Sequence, residues 1–188
     1  MTLHCHISAR LLFVAIMGKT YFIQNPQLEK ETICFAIERS LNRNVVIYEG
    51  LIDKATGKLR KDKPMDVYWL DLDPAYVEKN RKNGKMHDRD ELNYIEKTMA
   101  YGISCTPVPG REDEYTLTLV ALPSKKCTLK IVDGIPKTVV DINGKQCYME
   151  NIYVETQAGW TGLPRVMYVL VKGVTVDGGE PQEEKING

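Results

Sequence analysis

Apolar and polar positions alternate along most of this chain, and the breaks fall on Gly, Pro, Asn and Asp. Residues 32–38 and 45–51 are rich in β-branched and aromatic side chains and predict two strands. Between them stands a polar knot, Arg39-Ser40-Leu41-Asn42-Arg43-Asn44. Its Asn and Ser side chains bond local backbone and tolerate left-handed conformations, which predicts a tight turn. Residues 21–23 predict a short edge strand, and the polar stretches 24–31 and 53–64 predict loops. Residues 67–71 predict a third strand. Further on, 115–121 and 127–132 alternate with period two, so one face of each looks inward. Asp133-Gly134 predicts a turn. Residues 138–142 and 145–149 flank Asn143-Gly144, the strongest short-range hairpin signal in the chain. A strand at 152–156 follows, and 165–176, apolar on both faces from Val166 to Val171, predicts a central strand.

Two segments read as helical. Asp73 caps, Pro74 suits a first helical position and Gly84 closes, giving a short surface helix from 74 to about 82. Asp88 and Glu91 have the spacing of a capping box, Leu92, Ile95 and Met99 form one apolar stripe, and Gly102 suits a left-handed C-cap. These predict a helix over about 89–100, docked on a sheet. With about nine or ten strands, the fold class is mainly β: an antiparallel β-sandwich or barrel with one docked helix and one short surface helix.

Length and composition sharpen this. The chain has 188 residues, 43% of them apolar, which suits a single domain with a sizeable core. The expected organisation is a leader over 1–18, one β-rich domain over 19–177 and a frayed polar tail over 178–188. In the leader, Arg10 precedes the run Leu11 to Met17. That run is at the short limit of a signal-peptide core, so the leader is read as a disordered extension with Met17 as the start, or as a weak export signal. No apolar run is long enough to be transmembrane. Formal net charge is zero, which argues against a general nucleic-acid binder, since such a protein needs a basic footprint. The five cysteines, Cys5, Cys34, Cys105, Cys127 and Cys147, include no CxxC pair and no zinc spacing. Cys34, Cys127 and Cys147 fall in strand-like runs as small hydrophobes, which points to a reducing compartment and a cytoplasmic location, with secretion as the alternative.

Several of these stretches together resemble one family. They are Ile37 to Tyr48, then Val67-Tyr68-Trp69, then Leu92-Asn93-Tyr94-Ile95-Glu96 with Ala100-Tyr101-Gly102, then Val120-Ala121-Leu122-Pro123. In type and order they are similar to the pattern of an uncharacterised family, domain of unknown function 4833. The resemblance runs from about Phe22 to Val176, and the segment from Asp73 to Lys85 looks like an insertion. It implies no established activity and no catalytic residues to carry over.

Candidate chemistry gathers at the polar knot. Arg39 offers a fork of donors for carboxylate or phosphate, and Asn42, Asn44 and Tyr48 offer neighbouring polar groups. The competing reading has the asparagines building the turn and Arg39 paired with a structural carboxylate. Trp69, Tyr94 and Tyr101 are amphipathic aromatics that suit a ligand wall, although Trp69 in a strand and Tyr94 beside a helix stripe also suit a core. Trp160 stands in a glycine-rich loop and suits partner contact. Asp71-Leu72-Asp73 resembles a metal-holding DxD, but Asp73 is accounted for as a helix cap, so no metal or cofactor is implied. Nucleophilic catalysis would have to recruit His87, and there is no GxSxG, P-loop or GxGxxG before a helix. The expected function is therefore a soluble β-rich module that binds a small molecule or an anionic group. The alternatives are a hydrolase- or transferase-type enzyme using Arg39 with Glu38 or Glu91, and an interaction module using the Trp160 loop and an exposed sheet edge.

Overall fold

A computed structural model describes residues 31–71, 89–159 and 164–188. The readings of a leader, of an edge strand at 21–23, of a helix from Pro74 and of a Trp160 loop all lie outside the described residues, as do His87 and Asp73.

The turn-forming dipeptides place the first elements. Strands β7 (Lys126–Val132) and β8 (Ile135–Ile142) meet at Asp133-Gly134, with φ of 52° and 79°. Strand β9 (Lys145–Ala158) follows β8 across Asn143-Gly144, with φ of 53° and 81°. Both are two-residue turns with positive φ at both positions, the geometry that matches strand twist. A β-branched residue resists that conformation. Gly144→Val is therefore expected to cost about 1–3 kcal/mol, read as a lower urea midpoint, although nothing stands within 4 Å of the position a Cβ would take. An unchanged midpoint would contradict the turn assignment.

Strands β5 (Ile103–Pro107) and β6 (Glu114–Leu119) extend the antiparallel meander to β7. Strands β1 (Ile33–Arg39), β2 (Asn42–Gly50), β3 (Met65–Leu70) and β4 (Arg89–Glu91) make a second antiparallel run. The two runs join where β1 pairs with β9 in parallel, Ala36 to Arg39 beside Asn151 to Val154. On its other edge β9 carries β10 (Pro164–Thr175), which in turn carries β11 (Pro181–Asn187). Among the described residues, all eleven strands belong to one sheet, curled into a half-barrel. The structure is thus mainly β, as expected, but it is a single curled sheet rather than two facing ones. The separate strands expected at 145–149 and 152–156 are one continuous strand, and β11 occupies the segment expected to fray. Its Glu184 accepts from Lys125 at 2.7 Å and from the backbone N–H of Asn143 at 3.0 Å, tying the C-terminal strand to the β8–β9 hairpin.

One face of the sheet holds the core, including Phe35, Ile37, Tyr48, Leu117, Leu129, Ile142, Cys147, Met149 and Val171. On β1 to β3 the opposite face is buried as well, with Ala36, Val45, Ile47, Tyr68 and Leu70 on it. Burial on both faces explains the unbroken apolar runs there.

The expected docked helix is not formed. Residues 89–91 are strand β4, held because the Arg89 guanidinium lies 3.8 Å from the Tyr68 ring and pairs with the buried carboxylate of Asp66. Only a short helical turn follows, ending in a π-turn over Glu96–Ala100. Its capping box is Asn93 with Glu96: the Glu96 side chain accepts from the Asn93 N–H at 2.8 Å, and the Asn93 side chain accepts from the Glu96 N–H at 3.0 Å. Leu92 is buried, but Ile95 and Met99 are 65% and 74% exposed. A seven-residue apolar stripe needs a regular helix, and the π-turn rotates its last member off the sheet. Ile95→Asp is accordingly expected to change stability by no more than about 0.5 kcal/mol. A several-degree drop in melting temperature would restore the buried-stripe reading. Gly102 does not take a left-handed C-cap, as it is absent from the positive-φ glycines.

Candidate functional site

The β1–β2 connection is a two-residue turn, Ser40-Leu41, with Arg39 opposite Asn42. It is pinned from the side: the Ser40 N–H donates to the Val154 carbonyl at 3.1 Å, and the Thr156 N–H donates to the Ser40 hydroxyl at 2.9 Å. The backbone that carries Arg39 is thereby clamped to the far end of β9.

From this clamp the Arg39 guanidinium lies 5.1 Å from the Trp69 ring and 5.5 Å from the Tyr101 ring, and those two rings meet edge to face at 5.2 Å. A guanidinium against aromatic faces is attracted by the ring quadrupoles, by about 0.5–2 kcal/mol. Its Nε is buried without a hydrogen-bond partner. The residue as a whole is half-buried, so its outward end is the pair of terminal nitrogens. Arg39 forms no ion pair with any described residue, and the structural carboxylate of the competing reading is not found there.

Asn42 stands directly across from Arg39, and such pairs point to the same face. Its side-chain oxygen accepts from the Asn44 N–H at 2.9 Å, which fixes the amide orientation and turns its NH₂ group away as a donor. Asn44 is engaged differently: its amide donates to Asp71 at 2.6 Å, linking β2 to the residue after β3. Tyr48 is fully buried, its ring stacks on Phe35 at 4.2 Å, and its hydroxyl donates to the Tyr101 carbonyl at 2.8 Å. Burial pushes the hydroxyl pKa up, so it remains a neutral donor. Tyr94 is 80% exposed, on the helical turn that leads into Tyr101.

Of the seven residues read from the sequence, then, Arg39, Asn42, Trp69 and Tyr101 converge. Tyr48 joins them through its bond to the Tyr101 carbonyl, Asn44 is turned to Asp71, and Tyr94 is exposed on the turn before Tyr101. The sequence marks Asp71 as part of an Asp-x-Asp motif and Ser40 as a turn residue, but the Asn44–Asp71 bond and the Ser40–Thr156 clamp are not legible there, because each depends on a partner on another strand.

The carboxylates named as enzymatic partners of Arg39 are elsewhere. Glu38 is the next residue along β1 and faces the other side of the sheet, near Asn151 and Lys172; burial raises its pKa. Glu91 pairs with Arg89 at 3.3 Å. Burial also raises the Cys34 and Cys127 thiols to about 12 and Cys105 to about 11, the opposite of what an activated nucleophile requires. An open groove of about 690 Å³ lies away from Arg39, along Asp53, Lys58, Arg60 and Glu112. Two of its three cations are already matched, Lys58 with Glu112 and Arg60 with Asp62, which leaves Lys61 as a single exposed ammonium among carboxylates rather than a converging set of donors.

The family model for domain of unknown function (DUF4833) matches residues 35–185. The chain belongs to that family. The match spans all of the sheet from Phe35 on β1 into β11, and so takes in the whole Arg39 group. Neither a search of curated proteins nor one of solved structures returned a match.

Proposed function

We propose that this protein is a binding module that takes an anionic group at Arg39. One observation carries the reading: a guanidinium is held against Trp69 and Tyr101 with its Nε buried and unpartnered, and no described carboxylate pairs with it. A guanidinium pre-positioned on a clamped turn loses little freedom when an acceptor arrives at its terminal nitrogens. The Asn42 amide supplies further donors on the same face. A binding role also accommodates the lack of an activated nucleophile among the described residues better than a hydrolytic one does.

The test is a thermal-shift and titration screen of the wild type against acetate, dicarboxylates, sugar acids, inorganic phosphate and nucleoside monophosphates. Arg39→Lys keeps the charge but loses the fork, and is expected to weaken binding by about tenfold or more while leaving the unliganded melting temperature nearly unchanged. If no anion protects the wild type more than Arg39→Ala, the anion site is wrong.

A further inference from the structure

We propose that the anion taken at Arg39 is the head of an acyl-type monocarboxylate, whose apolar body lies along the exposed side chains around the Tyr101 turn. This rests on the anion site argued above and specifies its ligand. Among the described residues, seven large apolar side chains are exposed. Five of them, Leu41, Tyr94, Ile95, Met99 and Val120, belong to segments that meet at Arg39 and Tyr101. Leu41 is the tip of the turn between Arg39 and Asn42. Tyr94, Ile95 and Met99 sit on the helical turn that leads into Tyr101. The Val120 N–H donates to the carbonyl of Gly102, the residue after Tyr101, at 3.0 Å. Single exposed apolar residues are ordinary, whereas several on adjoining segments suit a binding surface.

The head group follows from charge and geometry. Arg39 is the only described cation on the Trp69 and Tyr101 rings, and a planar carboxylate matches one guanidinium fork with two parallel bonds. Met99 is suited to an alkyl chain, because its unbranched thioether adapts to irregular apolar partners.

The experiment is calorimetric titration of the full chain with acetate, hexanoate, octanoate and decanoate below their micellar concentrations. Decanol, octyl phosphate and an acetylated peptide ending in Leu serve as comparison arms. Affinity is expected to rise by roughly two- to fourfold per added methylene, decanol to bind at least tenfold more weakly than decanoate, and octyl phosphate more weakly than octanoate. Arg39→Lys should weaken every carboxylate alike. Met99→Gln and Ile95→Asn, uncharged changes at exposed positions, should flatten the chain-length dependence and weaken decanoate far more than acetate. Binding that depends on Arg39 but not on chain length, or that survives Met99→Gln at full chain-length dependence, overturns the acyl assignment and leaves the anion site standing. Tighter binding of octyl phosphate or of the Leu-terminated peptide than of octanoate overturns it in favour of that head group or of a chain terminus. Failure of every anion to bind removes the anion site itself.

Discussion

Replacing Phe35 with alanine is expected to lower the free energy of unfolding by about 3–5 kcal/mol, the larger of two effects that the fold makes predictable. Phe35 is 1% exposed, and its ring stacks on Tyr48 with an interplanar angle of 11°. Truncation removes the transfer energy of the ring and leaves a cavity at the joint where β1 bridges the two halves of the sheet. It also removes the stack, worth about 0.5–1.5 kcal/mol beyond burial. Tyr48 then loses the neighbour that orients its hydroxyl toward Tyr101, so the change reaches the Arg39 site from behind. Urea unfolding followed by circular dichroism checks it. A loss under about 1 kcal/mol would mean that the site collapses around the missing ring, or that the core lies elsewhere.

Gly102→Ala is the second. A Cβ there would stand 1.7 Å from the Lys97 carbonyl oxygen and 2.7 Å from its carbon, both backbone atoms of the π-turn. Backbone cannot rotate away as a side-chain tip can, so the turn must open. Overpacking of this kind costs about 1–3 kcal/mol and occasionally more, and this close approach belongs at the upper end. Opening the turn also shifts Tyr101, breaking its ring contact with Trp69 and the hydrogen bond from Tyr48. Gly102→Ala should therefore lose both stability and the Arg39-dependent anion response, whereas Gly144→Val should lose stability alone. An alanine variant with an unchanged melting temperature and an unchanged ligand response would show that Tyr101 is not held by that turn.

The helical turn is where sequence and structure part most clearly. Leu92, Ile95 and Met99 carry helical spacing, yet only Leu92 is buried. Periodicity reports which residues share a face of a regular helix; it does not report whether three-dimensional partners let the helix form. Here Tyr68 and Asp66, both on β3, draw Arg89 into an edge strand, and the cap moves to Asn93. The polar strands β4 and β11 are not legible in the sequence for a related reason. Edge strands bury little, so their sequences lack the alternation by which strands are read. The Arg39 site shows the converse. Arg39 and Asn42 were legible because a short turn between apolar strands brings them together locally. Trp69 and Tyr101 were legible only as aromatics, since their placement against Arg39 depends on β2 to β3 pairing and on the chain's return through the π-turn.

By itself the sequence determined the β class, the family, the two positive-φ hairpin turns and the Arg39 turn, all of which follow from interactions within a few residues of chain. Only the tertiary structure decided that one long strand, β9, organises the sheet, pairing antiparallel with β8 and β10 and parallel with β1. It alone decided that Arg39 rests on aromatic rings rather than on a carboxylate. Both depend on groups separated by tens to more than a hundred residues. Which of several compatible partners such a group takes is settled by the packing of the whole sheet, which no local pattern records.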